Sequence, residues 1–124
     1  MKEYTDQHAK AGLKEKLPEI DVFENSFKDY EITIVFPEFT SICPRTGLPD
    51  FAKITIKYVP QKYCLELKSL KMYFLAYRNL GIFNENVVNR ILKDIVAACK
   101  PKRAEVLGEF TSRGGLSTEI SSRF

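Results

Sequence analysis

The chain has 124 residues, of which 44% are hydrophobic, and its 19 lysines and arginines against 16 acidic residues give a formal net charge of +3. This length fits one domain with a modest core, and the composition excludes a disordered chain. The mild charge does not by itself indicate a nucleic-acid-binding protein, and no apolar run approaches the ~20 residues that span a bilayer.

The chain begins with a segment of weak pattern. Residues 1–29 are charged and show little periodicity, so we expect a loosely ordered lead-in. The one histidine, His8, lies in this segment and is interpreted as a solvated residue. A single domain is expected over residues 30–124.

Two strands follow the lead-in. Residues 30–36 alternate and are rich in β-branched and aromatic side chains, which predicts a strand that Pro37 ends. Residues 53–58 alternate in the same way and predict a second strand ended by Pro60. The segment between them, residues 43–50, contains two prolines and a glycine and predicts an exposed loop.

After the second strand, the spacing of apolar residues changes to that of helices. One apolar stripe predicts a helix that ends near residues 79–81, and this stripe consists of Leu67, Leu70, Phe74 and Tyr77. Asn84 is a plausible N-cap of a second helix, which Pro101 ends. The buried face of the second helix is predicted to contain Val87, Val88, Ile91, Leu92, Ile95 and Cys99.

The last part of the chain predicts two more strands. Residues 103–110 alternate, and residues 116–120 follow a turn that contains two glycines. The order is therefore ββααββ, which favours an α+β fold with an antiparallel sheet and both helices on one face. The opposite face would carry a mixed set of residues that suits contact with a second subunit: Thr33, Val35, Lys53 and Thr55.

The three cysteines, Cys43, Cys64 and Cys99, are odd in number and include no CxxC pair. This pattern argues against a disulfide framework or a structural zinc site, so a reducing cytoplasm is expected. The charged N-terminus also shows no signal-peptide core. Cys99 is interpreted as a core residue and Cys64 as packing at a strand end.

Cys43 and Asp50 lie on one turn-rich loop and could meet at the same pocket. A thiolate is a strong nucleophile, and a carboxyl group can deliver a proton to the group that the thiolate attacks. The alternative is that Asp50 caps a turn and that Cys43 has no chemical role. No partner thiol is near in sequence, which argues against disulfide exchange.

A second candidate site is the sequence ELKSLKMY, residues 66–73. It places Lys68 and Lys71 three residues apart on one helical face, close after Glu66. The plain interpretation is a solvated helix surface. The alternative is a cationic patch near a helix start that receives phosphates.

Four stretches, FTSICPRTGLPDFA, ELKSLKMY, YRNLGIFNEN and GEFTSRGG, together resemble the nitrile reductases that convert 7-cyano-7-deazaguanine to 7-aminomethyl-7-deazaguanine in queuosine biosynthesis. The resemblance covers roughly residues 30–120 and keeps the cysteine loop and the lysine motif in the family's order. It implies the tunnelling fold, in which ββααββ subunits join edge to edge into oligomeric barrels with sites between subunits. It also implies a cytoplasmic enzyme that acts on the free base, without nucleic-acid or membrane partners.

The resemblance implies a role for each matched residue. Cys43 would be the nucleophile that forms a covalent thioimide with the nitrile, and Asp50 would be the proton donor. The family's cofactor is NADPH, for which Lys68 and Lys71 are candidates and Arg113 a further one. The substrate would be bound by Leu65, Glu66, Leu67, Asn84 and Glu85.

This assignment implies that two NADPH are consumed per nitrile, because the thioimide and then the imine must each accept a hydride. The Glu85 carboxylate could accept hydrogen bonds from the N–H edge of a guanine-like base. Many relatives have histidine where this chain has Asn84. An amide can form hydrogen bonds to the base but has no acid–base role at neutral pH.

Two other functions stay open at this point. An amidinotransferase-like relative would form the same thioimide and then add ammonia or an amine, but such relatives lack the lysine motif that this chain keeps. A small RNA-binding module would use the many basic and aromatic residues. Against this, the sequence has no RNP-like or GXXG pattern, and its charge is dispersed.

Overall fold

The computed structural model describes residues 5–124, apart from the side chain of Arg113. The helices are α1 (Asp6–Lys10), α2 (Leu67–Leu75) and α3 (Asn84–Cys99), and a 3₁₀-helix (Ala76–Asn79) follows α2. The strands are β1 (Val22–Glu24), β2 (Ile32–Ile42), β3 (Pro49–Val59), β4 (Tyr63–Leu65), β5 (Arg103–Arg113) and β6 (Leu116–Arg123). No helix in this described range is long and apolar enough to cross a membrane.

The four long strands form one antiparallel sheet in the order β2-β3-β5-β6. Alternate residues of the central strands are buried in a core shared with α2 and α3, whereas their neighbours are more exposed on the other face. The α+β class, the antiparallel sheet and the ββααββ order of the long elements are confirmed. A second sheet, formed by β1 and β4, was not predicted.

α3 packs on the sheet through one apolar face. All six residues predicted for this face are buried. The helix ends at Cys99 because Lys100 adopts a left-handed conformation with φ of 46° and Pro101 follows it. Cys99 and Cys64 are both buried, as interpreted from the sequence.

β2 is longer than predicted. The strand continues through Pro37, so the prediction that this residue ends it is wrong. Proline is tolerated because β2 lies at an edge of the sheet, and the pairing with β3 shifts register between Phe36 and Phe39. Beyond this bulge, Phe39 and Ser41 are buried. The extension carries the strand to the residue just before Cys43.

α2 is shorter than the predicted helix, because the tighter 3₁₀-helix replaces its last turn. Leu70 and Phe74 are buried as predicted, and so is Tyr77 of the 3₁₀-helix. Leu67 is 59% exposed, so its place in the buried stripe was wrong. It is the first helical residue, and the helix reaches the core only one turn later.

The lead-in contains regular structure and packs on the rest of the molecule. β1 pairs with β4, and the Arg90 guanidinium of α3 donates hydrogen bonds to the backbone carbonyls of Gly12 and Glu15. Three lead-in residues contact the core: Leu17, Ile20 and Val22. These contacts were not predicted, because one short strand and scattered apolar residues give no periodic signal. The division of the chain at residue 30 stays a prediction.

The face of the sheet away from the helices is open. Val35 is 48% exposed and lies opposite Thr55 of β3. Lys53 forms a long ion pair with Glu109, with 3.9 Å between nitrogen and oxygen. Contact of this face with a second subunit stays a prediction.

Candidate active site

The chain between β2 and β3 forms a tight loop around Cys43. The Cys43 N–H donates to the Leu48 carbonyl oxygen at 2.9 Å, and the Gly47 N–H donates to the Cys43 carbonyl oxygen at 2.9 Å. Gly47 has φ of +73°, a left-handed conformation that glycine adopts without steric cost. The loop therefore fixes Cys43 at the point where the strand ends, with its side chain half-buried.

The loop favours the thiolate form of Cys43. Burial alone raises the pKa of this thiol, because a charge is costly away from water. Hydrogen bonds to sulfur from the Thr46 hydroxyl and from the backbone of Thr46 and Arg45 outweigh burial, so the net pKa lies below its ordinary value. The negative charge of Asp50 opposes this lowering. By contrast, burial raises the pKa of Cys99 to about 11.

Asp50 lies in β3 and not in the loop, so its predicted position was wrong. It is the second residue of the strand and pairs with Ser41 of β2. Pro49 had signalled a loop, but proline is also tolerated as the first residue of a strand. Paired residues of antiparallel strands project from the same face, here the face that the helices cover. Asp50 is half-buried and its charge acts on Cys43, so the two groups share one site.

A backbone bridge joins the Cys43 loop to the segment before α3. The Ile42 N–H donates to the Leu80 carbonyl oxygen at 3.0 Å, and the Ile82 N–H donates to the Ile42 carbonyl oxygen at 2.9 Å. The bridge sets Ile42 and Gly81 side by side in parallel. Because α3 begins two residues after Ile82, its first turn lies beside the Cys43 loop.

The first turn of α3 presents two predicted substrate residues. The Asn84 Oδ1 atom is buried and has no hydrogen-bond partner among the residues that the structure describes. The Glu85 side chain is exposed. Phe83 is the N-cap, with extended backbone, so the N-cap prediction for Asn84 was wrong. Asn84 is the first helical residue and its side chain does not cap α3, so its Oδ1 is an acceptor that a ligand could use.

At the start of α2, the carboxylate of Glu66 caps the helix. Its Oε1 accepts from the Ser69 N–H at 2.8 Å, and its Oε2 accepts from the Lys68 N–H at 2.9 Å. These hydrogen bonds, led by the one from Ser69, hold the pKa of Glu66 below its ordinary value. Leu65 is 2% exposed, and its N–H donates to the Tyr58 Oη at 2.9 Å.

The lead-in fixes the position of this helix start. The Glu66 N–H donates to the Asp21 carbonyl oxygen at 2.9 Å. The Asp21 N–H donates to the Ser69 Oγ at 2.8 Å, and that hydroxyl donates to the Glu66 carbonyl oxygen at 2.9 Å. The first turn of α2 is therefore held from both sides, by its own cap and by the lead-in.

The structure divides the predicted site residues between two ends of the sheet. Cys43, Asp50 and the first turn of α3 lie at one end. Leu65 and Glu66 lie at the other end, beside Tyr58. Tyr58 follows Asp50 by eight residues along β3, or about 27 Å at ~3.4 Å per residue. A single chain therefore does not bring all of these residues together.

The candidate cofactor residues belong to the Glu66 end. Lys68 and Lys71 are both exposed on α2, one turn apart. Two ammonium groups at this spacing can contact phosphates, so this surface fits the predicted cofactor, although the assignment stays a prediction. The side chain of Arg113 lies outside the described part of the structure, and its backbone pairs with Leu116.

Ser41 was not predicted from the sequence. Its side chain is 0% exposed, and its Oγ has no hydrogen-bond partner among the described residues. A signal was available, because Ser41 precedes Cys43 by two residues and alternate residues of a strand share a face. It was overlooked because the strand was expected to end at Pro37.

Known proteins similar to this chain agree with one another. The family model described as "QueF-like protein" matches residues 49–124. A protein of Elusimicrobium minutum is 59% identical over 122 residues, which are 98% of this chain and 92% of the relative. A protein of Chlorobaculum tepidum is 57% identical over 104 residues, which are 82% of this chain and 89% of the relative. Both are named NADPH-dependent 7-cyano-7-deazaguanine reductase.

A solved structure shares the fold. It is the crystal structure of the archaeosine synthase QueF-Like in the apo form, with a TM-score of 0.73, and the match covers 78% of this chain and 95% of that chain. The two sequences are 20% identical, so this match shows the fold alone. It agrees with the tunnelling fold that the sequence resemblance implied.

Proposed function

This chain belongs to the QueF-like protein family, and from that premise we propose that it reduces the nitrile of 7-cyano-7-deazaguanine to the amine of 7-aminomethyl-7-deazaguanine, with NADPH, for queuosine biosynthesis. The observation that carries this function is the half-buried Cys43 thiol, with its lowered pKa, beside Asp50. Two relatives that are 57–59% identical to this chain over most of their length are named for this reaction.

The first step is assigned to Cys43. Its thiolate adds to the nitrile carbon, so a C–S bond forms, one π bond between carbon and nitrogen breaks, and the nitrogen takes up a proton. The lowered pKa supports this step, because it raises the fraction of thiolate near neutral pH. The product is a thioimide bound covalently to the chain.

The proton for the nitrile nitrogen is assigned to Asp50. Its carboxyl group lies at the same end of the sheet as the Cys43 loop, and its charge acts on the thiol. The negative charge of Asp50 opposes the lowering of the Cys43 pKa, because two negative charges close together repel each other. The reacting state assigned here is a thiolate beside a protonated carboxyl group, in which this repulsion is absent.

Recognition of the base is assigned to the first turn of α3. The edge of a guanine-like base presents N–H donors, which need acceptors. The Asn84 Oδ1 is a buried acceptor without a partner among the described residues, and the exposed Glu85 carboxylate adds a charged one. Hydrogen bonds from the base to a charged acceptor are about twice as strong as those between neutral groups.

NADPH, when bound, supplies hydride, and the nitrile takes up two hydrides on its way to the amine. Lys68 and Lys71 are assigned to the phosphates of this cofactor, because they are exposed and one turn apart. Release of the amine requires that the bond to Cys43 breaks after the first reduction. The thiolate is then regenerated, and its lowered pKa makes it a better leaving group.

A complete site is assigned to two subunits. The Cys43 end and the Glu66 end of one chain are about 27 Å apart along the sheet, so the Cys43 end of one subunit would meet the Glu66 end of its neighbour. Among the described strands, β2 and β6 each pair on one side only, which leaves an edge at both sides of the sheet. Pairing of such edges closes sheets into barrels.

The function is tested by two measurements. With the cyano base, NADPH oxidation should consume two NADPH per amine formed. Without NADPH, intact mass should increase by one base per chain in the wild type and in Cys64→Ala, and should not change in Cys43→Ala. An adduct that persists in Cys43→Ala would contradict the assignment. An adduct that turns over with ammonia or an amine but without NADPH would indicate an amidinotransferase.

A further inference from the structure

Ser41 carries a buried polar group that the fold does not use. Its side chain is 0% exposed, and its Oγ has no hydrogen-bond partner among the residues whose side chains the structure describes. An unsatisfied buried hydroxyl destabilises a protein, and such groups are uncommon. One that lies two residues from a nucleophile is best explained by the chemistry of the site.

The register of the sheet defines the neighbours of Ser41. Phe39 precedes it on the same face and pairs with Ala52, and both of these side chains are apolar. Asp50 lies directly opposite. The Cβ atoms of such cross-strand partners are about 4.5–5.5 Å apart, so rotation of the two side chains can bring the hydroxyl and the carboxyl group into hydrogen-bond contact. Asp50 is therefore the partner that the sheet offers to Ser41.

Resting on the function given above, we propose that Ser41 is a positioning residue for Asp50, and that its hydroxyl donates a hydrogen bond to the carboxylate formed when Asp50 protonates the nitrile nitrogen. The proton moves from Asp50 to the nitrogen while the C–S bond to Cys43 forms, and Ser41 keeps its own proton. The hydrogen bond stabilises a negative charge that appears in a half-buried place.

The geometry of β2 suits this role. The backbone of Ile42, the next residue, is held by hydrogen bonds to Leu80 and Ile82, so the strand cannot shift easily at this point. The side chain of Ser41 keeps one rotatable bond, and its hydroxyl can either donate or accept. It can therefore accept from the protonated carboxyl group before the transfer and donate to the carboxylate after it.

A double-mutant cycle tests this role. The rate of adduct formation without NADPH is measured in the wild type, Ser41→Ala, Asp50→Asn and the double variant. Ser41→Ala should slow the wild type at least about tenfold, as expected for loss of a hydrogen bond to a charged group. In the Asp50→Asn background it should change the rate less than about twofold, because residues that act through each other are not additive.

Two further variants separate positioning from packing. Ser41→Thr keeps the hydroxyl and should retain most of the rate. Thr40→Val removes a hydroxyl from the same strand, where it contacts the Glu38 carbonyl oxygen at 3.5 Å, and should leave the rate unchanged. Affinity for the base, measured in a Cys43→Ala background, should be the same with and without Ser41→Ala.

The outcomes that overturn the inference are distinct from failure of the function. A normal rate of adduct formation in Ser41→Ala, or an equal loss in both Asp50 backgrounds, shows that Ser41 does not act through Asp50. Ser41→Ala removes an unsatisfied group, so its melting temperature should not fall. If the wild type itself forms no adduct, the proposed reaction is wrong and the positioning role falls with it.

Discussion

The starts of α2 and α3 look alike in the sequence and differ in the structure. Each carries a glutamate that the family resemblance assigns to the substrate. At α2, both carboxylate oxygens of Glu66 accept N–H groups of the helix itself. At α3, the N-cap is Phe83, no side chain caps the helix, and Glu85 is exposed.

This difference separates a role in the fold from a role in binding. The carboxylate of Glu66 is already used by its own helix, whereas that of Glu85 is available at the end of the sheet that holds Cys43. Loss of the Glu66 carboxylate should therefore affect stability first, and loss of the Glu85 carboxylate should affect binding of the base first. Asp50 and Tyr58, which mark the two ends, lie about 27 Å apart along β3, and this separation is the reason for assigning one site to two subunits.

The largest expected effect is the recovery of activity when two inactive variants, each altered at a different end of the sheet, form mixed oligomers. Cys43→Ala should be inactive, and a Lys68→Ala/Lys71→Ala chain should be nearly inactive at low NADPH. When the two are co-expressed, sites between unlike subunits combine an intact Cys43 with intact lysines. About a quarter of wild-type activity should return, because each half of a site is intact in half of the chains.

The control for this experiment is a variant pair from one end of the sheet. Cys43→Ala co-expressed with Asp50→Asn should regain no activity beyond the sum of the separate proteins, since both changes affect the same half of the site. If Cys43→Ala and Lys68→Ala/Lys71→Ala also regain no activity in a mixed oligomer, the complete site lies within one chain. The two ends of the sheet would then not be halves of one site between subunits.

Asp50→Asn tests whether the Cys43 end of the sheet acts in catalysis and not in stability. The change preserves shape and removes the proton, so turnover should fall by ~10²-fold or more while the melting temperature stays close to that of the wild type. Asp29→Asn is a matched control, because Asp29 is exposed and lies at the end of the sheet away from Cys43. Near-normal turnover of Asp50→Asn would show that the proton comes from another group.

The sequence predicted the fold more completely than it predicted the positions and hydrogen bonds of the site residues. The six buried residues of α3 were predicted because a helix that packs on a sheet repeats its apolar positions at a fixed period. Asp50 was placed in a loop, because proline signals both a loop and a strand start. The cap by Glu66 consists of two hydrogen bonds, and the Ser41 hydroxyl makes none among the described residues. Neither feature produces a repeating pattern in the sequence.

Removal of the α2 lysines tests the cofactor surface directly. Lys68→Ala and Lys71→Ala should each raise the KM for NADPH about tenfold or more, as expected for loss of a charge-assisted contact of ~1.5–3 kcal/mol. Adduct formation, which needs no NADPH, should persist. Lys93→Ala, an exposed lysine of α3, is the control. Loss of the adduct with an unchanged KM would place these lysines at the base and not at the cofactor.

Glu85→Gln and Glu66→Gln compare the two helix starts, because each variant makes the same change from a carboxylate to an amide. Glu85→Gln should weaken binding of the base about tenfold, or ~1.4 kcal/mol, with little change in melting temperature. Glu66→Gln should lower the melting temperature and change the affinity less. Calorimetric titration in a Cys43→Ala background measures affinity without covalent trapping. An affinity loss under about twofold in Glu85→Gln would remove this residue from the site.

The smallest effect is the pH dependence of the Glu66 cap. Because the hydrogen bonds from Ser69 and Lys68 hold the pKa of Glu66 below its ordinary value, the ionised carboxylate stabilises the folded state. This contribution is fully present above the pKa of a glutamate in the unfolded chain, about 4.3. It is lost as the pH falls through the lower pKa of the folded state.

Thermal unfolding of the wild type and Glu66→Gln should therefore differ by a constant amount from neutral pH to about pH 5, and the two should converge as the pH falls below about 4. Glu85→Gln is the control, because α3 has no side-chain cap to lose. If the difference for Glu66→Gln did not shrink on acidification, the charge of the carboxylate would not be what secures the start of α2. The difference in stability would then come from the geometry of the carboxylate and not from its charge.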